Sequence, residues 1–258
     1  MSANPPQFIS VLGRRLEIRL IPGASDAAPP VVMLHEGLGS ISLWRDFPDR
    51  LAAATGSAVL VYSRHGYGRS DVLDAARSVD YMHHEATAVL PALLAGLSIA
   101  RPVLVGHSDG ASIALIHAGT QRGVRGLVAM APHVFVEEIS VKSIATARTA
   151  FESTDLPQKL ARHHADGDKT FYGWNDIWLH PDFRAWNIEA FLPAIACPLL
   201  AIQGVDDEYG SMAQLEAIAA QTGGPVELLK LAACRHSPQR DQPEATLSAI
   251  SRFVAALG

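Results

Sequence analysis

Val103-Leu104-Val105-Gly106-His107-Ser108-Asp109-Gly110-Ala111-Ser112 is an apolar run that enters Gly-x-Ser-x-Gly and continues directly as a helix from Ala111 to Ala118. A bare Gly-x-Ser-x-Gly is common and carries little weight; a buried strand before it and a helix after it give it meaning. Such a turn holds the serine in a strained backbone conformation, and small residues two positions before and after it let strand and helix approach closely. The Ser108 hydroxyl is then held above the sheet. The free N–H groups and positive end of the helix point at the same spot, where negative charge develops on a substrate carbonyl. An N-cap serine after a glycine turn is the bland alternative; it leaves the flanking pattern unexplained.

Working outward, apolar β-rich runs occur at 31–34, 58–62, 102–106, 125–130 and 198–203, with a last strand at 226–231. The first five lack polar alternation, as strands buried on both faces do. Helical segments near 41–55, 80–97, 109–121, 211–222 and 241–256 separate and close them. This alternation predicts an α/β fold, a mostly parallel sheet with helices on both faces. Residues 8–21 read as an antiparallel hairpin turning at Gly13-Arg14, followed by a Pro/Ala loop over 22–30. The pattern breaks between 133 and 193, which look helical and hold three of the four tryptophans, Trp174, Trp178 and Trp186. An insertion into a core of 1–132 and 194–258 is the simplest account. Most of its aromatic rings should pack among themselves, with a minority lining a pocket.

The 258 residues suffice for one large domain, and 48% hydrophobic with 18% charged residues is ordinary for a globular chain. A net charge of −5 with scattered Lys and Arg offers no cationic face for nucleic acid or an anionic membrane, so a small neutral or weakly charged substrate is expected. The first twenty residues lack an apolar h-region and no stretch approaches a membrane span, which makes the cytoplasm the expected location. Cys197 and Cys234 are too few for a disulfide framework and too far apart for a CxxC pair; both are expected as buried thiols.

A serine hydroxyl needs a base within hydrogen-bond reach. Of eleven histidines, His83-His84 and His163-His164 are adjacent pairs whose rings diverge on a helix, and His117 lies mid-helix. His236 follows the last strand in a loop that opens at the carboxyl edge of a parallel sheet, the edge that presents Ser108. The base needs a carboxylate on its other nitrogen. Asp206, Asp207 and Glu208 follow strand 198–203 at that edge; Asp207 is preferred, with Asp206 and Glu208 read as solvated or turn-capping acids.

Over nearly its whole length the chain resembles the α/β-hydrolase superfamily, in a serine carboxylesterase-like form with a helical cap. The order Ser108, Asp207, His236 matches that family's order, as does the step from Gly204 to the acid. Arg64-His65-Gly66-Tyr67-Gly68-Arg69-Ser70 is similar to its Asp-Arg-x-Gly-x-Gly-x-Ser loop, with Ser63 where the acid stands. The resemblance implies an oxyanion hole from the Asp109 N–H and one in His35-Glu36-Gly37-Leu38. Gly37 is the matching position and Leu38 the alternative, because Glu36 replaces a usual glycine. Arg235, where the family often has glycine, puts a cation near the site mouth or a solvated side chain. The resemblance also makes 133–193 the cap over the site, with His35, His133, Trp174, Trp178 and Trp186 as substrate-binding candidates. His35-Glu36 lacks the histidine at position 39 that a zinc protease motif requires, so no metal and no cofactor is expected.

Fold alone does not give the reaction. A serine nucleophile favours acyl transfer, and the leading expectation is a carboxylesterase for esters with an apolar or aromatic acid or alcohol, extending to aliphatic polyesters if the cleft is open. The alternatives are a thioesterase, a carbon–carbon hydrolase of aromatic ring-cleavage products, and, from another class, a non-catalytic small-ligand receptor. Nine acids against six Lys and Arg in 133–193 disfavour the phosphates of a coenzyme A thioester.

Overall fold

The computed structural model describes residues 6–24 and 27–258; residues 1–5, at the head of the segment read for a leader, and 25–26, within the 22–30 loop, lie outside the described residues. Strands β1 (Gln7–Val11) and β2 (Arg14–Ile21) pair antiparallel, with Val11 opposite Arg14. The turn between them is Leu12-Gly13, one residue earlier than the sequence suggests. Both residues have positive φ, 49° and 78°, as a two-residue type I′ turn requires. Arg14 already belongs to the ladder.

The remaining strands are β3 (Val31–Leu34), β4 (Val59–Ser63), β5 (Val103–His107), β6 (Gly126–Met130), β7 (Leu199–Gly204) and β8 (Val226–Leu231). The sheet order is β1-β2-β4-β3-β5-β6-β7-β8, parallel from β4 onward. Alternate residues of the buried strands feed two cores. Val31, Met33, Val103 and Val105 pack with Phe47 and Leu51 of α1 (Phe47–Thr55) and with Ile250 and Phe253 of α10 (Pro243–Ala255). Val32, Leu34 and Leu104 face the opposite layer, which includes α4 (Asp109–Thr120). Helix α4 is apolar nearly all round and buried from Asp109 to Ala118, as a helix at the centre of a layer must be.

The helix expected at 80–97 is three pieces: α2 (Tyr81–His84), a π turn over Glu85–Val89, and α3 (Leu90–Gly96). Pro91 explains the widened turn, since it lacks an N–H and its ring crowds the Thr87 carbonyl. Between β6 and β7 lie α5 (Glu138–Ser153), α6 (Leu156–Leu160), α7 (Gly167–Leu179) and two 3-10 turns, Pro181–Ala185 and Glu189–Ala194. The two ends of this excursion meet, with Phe135 bridging Asn187 and Ile188 N–H donating to Val134 O at 2.7 Å. The segment has its own aromatic core, in which Phe151 stacks on Phe171 at 3.9 Å. After β7 come α8 (Ala213–Gln221) and, beyond β8, α9 (Pro238–Asp241). Cys234 is buried, whereas Cys197 is only half-buried, and both are free thiols. Among the described residues no helix is long and apolar enough to cross a membrane.

Order reverses at β3: β4, the next strand in the chain, lies on one side of it and β5, which follows β4, on the other. The crevice beyond the carboxyl ends of β3 and β5 is therefore where an open α/β sheet places its site.

Leu12 is a branched-chain residue in left-handed conformation and 61% exposed, so its side chain contributes little packing. Leu12→Asn is expected to raise stability by about 1 kcal/mol, a gain of roughly 2–4 °C in Tm for a chain of this size. Thermal unfolding checks it; an unchanged or lowered Tm contradicts the turn assignment.

Candidate active site

Ser108 terminates β5 with φ 53° and ψ −120°, a conformation unfavourable for a residue with a Cβ. It is tolerated because strand and helix can close on each other. A Cβ at Gly106 would overlap Gly110 O and Ala111 Cα, and one at Gly110 would overlap the Leu34 and His35 carbonyl oxygens. The Ser108 amide is anchored to Met130 O at 2.9 Å.

His236 Nε2 lies 2.9 Å from Ser108 Oγ, and its Nδ1 lies 2.9 and 3.0 Å from the two oxygens of Asp207. Asp207 also accepts from Tyr209 N–H at 2.8 Å and from Gln203 Nε2 at 3.3 Å. Burial opposes its charge, but the His236 bond and charge outweigh it and hold the carboxyl below the usual range. For His236, burial alone would lower the pKa; the bond and charge of Asp207 overcome this and raise it. The loop around His236 is tied down from below: His107 Nε2 lies 2.7 Å from His236 O, and Arg235 N–H donates to Asp241 at 2.8 Å. Asp206 is exposed, whereas Glu208 accepts from His236 N–H at 3.3 Å and pairs with Arg235 at 2.9 Å.

The loop after β3 is held on one side. Glu36 O accepts from Gly39 N–H at 3.0 Å and Arg64 Nη2 at 3.1 Å, with His35 Nδ1 at 2.7 Å. Arg64, fully buried, also donates to His35 O, and its own N–H donates to His35 Nε2 at 3.0 Å. In a trans peptide C=O and N–H point opposite ways, so gripping the Glu36 carbonyl turns the Gly37 N–H away from the grip. Glu36's carboxylate faces His107 Nδ1 at 3.4 Å and Arg240 at 3.5 Å. Burial opposes its ionisation, and these two partners, His107 foremost, override burial and keep it ionised. Ser63, standing where the resemblance expects an acid, donates to Glu17 Oε2 at 2.9 Å, and the same oxygen accepts Arg69 N–H at 2.9 Å. Strand β2 thus supplies the missing carboxylate.

A cavity of about 200 Å³ opens at Ser108, walled by Gly37, Leu38, Asp109, His133, Ile144, Trp174, Trp178, Tyr209 and His236, with Glu36, Glu208 and Ser237. His133 is buried against Trp178, ring centroids 5.0 Å apart, and burial pushes its pKa down to about 3. Two expectations need correction. His35 does not reach the cavity: both ring nitrogens are engaged by Glu36 O and Arg64 N–H, and it braces the loop from within. Trp186 is also absent from the wall, stacked on Phe183 at 5.4 Å inside the excursion's aromatic core. Ile144 and Tyr209 do not stand out in the sequence, and Leu38 stands out there only as the alternative oxyanion donor. Only Tyr209, two residues after Asp207, carried a usable signal. Among the described residues no group of three His, Cys, Asp or Glu side chains is gathered as a metal centre needs.

A family model described as the alpha/beta hydrolase family matches residues 31–249. The proline iminopeptidase of Lactiplantibacillus plantarum is 31% identical over 120 residues, 45% of this chain and 40% of that protein; the chain therefore matches less than half of that curated relative's length. The crystal structure of proline iminopeptidase from Mycobacterium smegmatis aligns with TM-score 0.78 and 18% identity over 98% of both chains. The enol-lactonase from Burkholderia xenovorans LB400 aligns with TM-score 0.76 and 20% identity over 96% of this chain and 100% of its own. At such identities these two structures speak for the fold alone.

The balance at His236 is directly measurable. Asp207 favours the imidazolium, so in the native protein His236 should titrate above the ordinary 6.5. In Asp207→Asn the charge is gone and burial dominates, so the pKa should fall below that value. A pH titration followed by NMR of the imidazole checks this; no downward shift contradicts the pairing.

Proposed function

Because this chain belongs to the alpha/beta hydrolase family, we propose that it is a serine hydrolase of carboxylic esters, acting through an acyl-enzyme on Ser108. The observation that carries the proposal is the unbroken hydrogen-bonded chain from Ser108 Oγ through His236 to Asp207, ending in the aromatic cavity. Ser108 Oγ attacks the ester carbonyl while His236 Nε2 takes its proton. Asp207 steadies the imidazolium, and His236 returns the proton to the leaving alcohol. Water then repeats the cycle on the acyl-enzyme. The amides of Asp109 and Gly37 hold the oxyanion, each worth about 3 kcal/mol of barrier. Gly37 is preferred to Leu38 because the grip on the Glu36 carbonyl aims the Gly37 N–H the other way. The helices of 133–193 act as the cap, through Ile144, Trp174 and Trp178.

Cavity size points to the acyl group. A void of about 150 Å³ is enough for benzene, so about 200 Å³ suits a short aliphatic acyl group or a single aromatic ring, and long chains and polyesters fit poorly. An aminopeptidase would need a carboxylate free to receive a substrate ammonium. The two carboxylates in the wall besides Asp109 are already paired, Glu36 with His107 and Arg240, Glu208 with Arg235. This favours the ester reading over the activity named for the proline iminopeptidases. A thioesterase or a carbon–carbon hydrolase would use the same triad, and parallel rates on a thioester, a dienoic keto acid and a simple ester rank the three.

With p-nitrophenyl esters, Ser108→Ala should lose at least about 10³-fold in kcat/KM; undiminished turnover ends the proposal. Acetyl, butyryl and benzoyl esters should be turned over and the dodecanoyl ester at least about tenfold more slowly. A preference for the long chain contradicts the cavity argument. His236 acts as a base only when neutral, so the rate should rise with pH and reach half its plateau above pH 6.5, and a pH–rate profile flat from 6 to 8 contradicts it.

A further inference from the structure

Gly37 is not among the residues with positive φ, so backbone strain does not demand a glycine there. Space does: a Cβ at Gly37 would overlap the Nε1 edge of Trp174, on α7. The indole is pressed edge-on against the loop, and backbone bond geometry puts its nitrogen within about 5 Å of the Gly37 amide nitrogen. Trp174 is 7% exposed, held edge-to-face by Phe171 at 6.1 Å, and walls the Ser108 cavity. The other three indole N–H groups, of Trp44, Trp178 and Trp186, are sealed from solvent, that of Trp178 beside the Asp109 carboxylate. Trp174 Nε1 differs: among the described residues it has no hydrogen-bond partner, and it is not sealed off.

We propose that Trp174 Nε1–H is a third donor to the oxyanion formed on Ser108, beside the amides of Gly37 and Asp109. The proposal rests on the hydrolase reading above. Two donors each about 2.9 Å from one oxygen, at a tetrahedral angle, stand roughly 4.7 Å apart, which the placement of Trp174 Nε1 beside Gly37 N allows. When Ser108 Oγ bonds to the carbonyl carbon, the π pair moves onto the carbonyl oxygen and the Oγ proton goes to His236 Nε2. Trp174 keeps its proton throughout, and its hydrogen bond strengthens as charge grows on the oxygen. When the intermediate collapses, the pair returns and the leaving group departs. The need for a third donor has a local cause. Glu36, ionised by His107 and Arg240, lies in the same wall and opposes negative charge there. A neutral N–H from the helical segment offsets that without adding a charge to the cavity.

Trp174→Phe removes the N–H and keeps most of the ring. For a good ester the expectation is a fall in kcat of about 100-fold, with KM within about threefold and the acid limb of the pH profile unmoved. A folded variant whose kcat stays within about twofold of the native value overturns the proposal. A crystal structure of the native protein with a phenylboronic acid bonded to Ser108 decides the matter even if the variant does not fold. A boronate oxygen within about 3.2 Å of Trp174 Nε1 supports it; an oxygen bonded only to the Gly37 and Asp109 amides overturns it while leaving the hydrolase reading intact. Failure of the boronate to bond Ser108 at all overturns both.

Discussion

The close approach of α4 to β5 and to the end of β3 around Ser108, possible only because positions 106 and 110 carry no side chain, is the contact on which the rest of the site depends. It holds Ser108 at φ 53°, a strain of the order of 1–3 kcal/mol. The anchor of Ser108 N–H on Met130 O and a helix buried along ten residues offset that strain. With that turn in place, the carboxyl ends of β7 and β8 lie within reach, and the loops that follow them bring Asp207 and His236 to the same edge.

A second constraint is electrostatic. Arg64 is fully buried on the floor of the site, where its guanidinium lies 4.0 Å from Asp109 and its planar face meets Tyr67 at 4.9 Å. Asp109 accepts from Tyr81 at 2.6 Å, and burial raises its carboxyl despite these partners. Buried charges persist when they are paired and hydrogen-bonded, and this group does more than pay its own desolvation: the same guanidinium grips the carbonyls of His35 and Glu36. The side chain after Ser108 and the loop after β3 are thereby locked into one polar cluster.

Much of this could be read from residue types. The buried strands announced themselves by unbroken apolar runs, shifted by one residue at β4, β5 and β7, because Ser63, His107 and Gly204 at their carboxyl ends fall outside an apolar run. Ser108, Asp207 and His236 stood out because each follows a strand at the same edge. The errors have a common origin. His35 and Trp186 were attractive by type and neighbourhood, yet side-chain direction decides whether a ring faces a cavity or a core, and hydrophobic patterning in short irregular helices does not encode direction. Arg64 was visible in its motif, but its grip on two carbonyls is a three-dimensional fact. Ile144 and the indole edge of Trp174 meet the site only because α5 and α7 pack over the sheet edge, a tertiary choice with no local signature.

In the hydrolase reading, Ser108 is made nucleophilic by His236 where it sits. The most direct measurement is peptide mapping of the protein after brief exposure to a fluorophosphonate. One adduct is expected, on the peptide carrying Ser108, and it should disappear in His236→Ala. An adduct on another residue, or equal labelling of Ser108 without the imidazole, would contradict it.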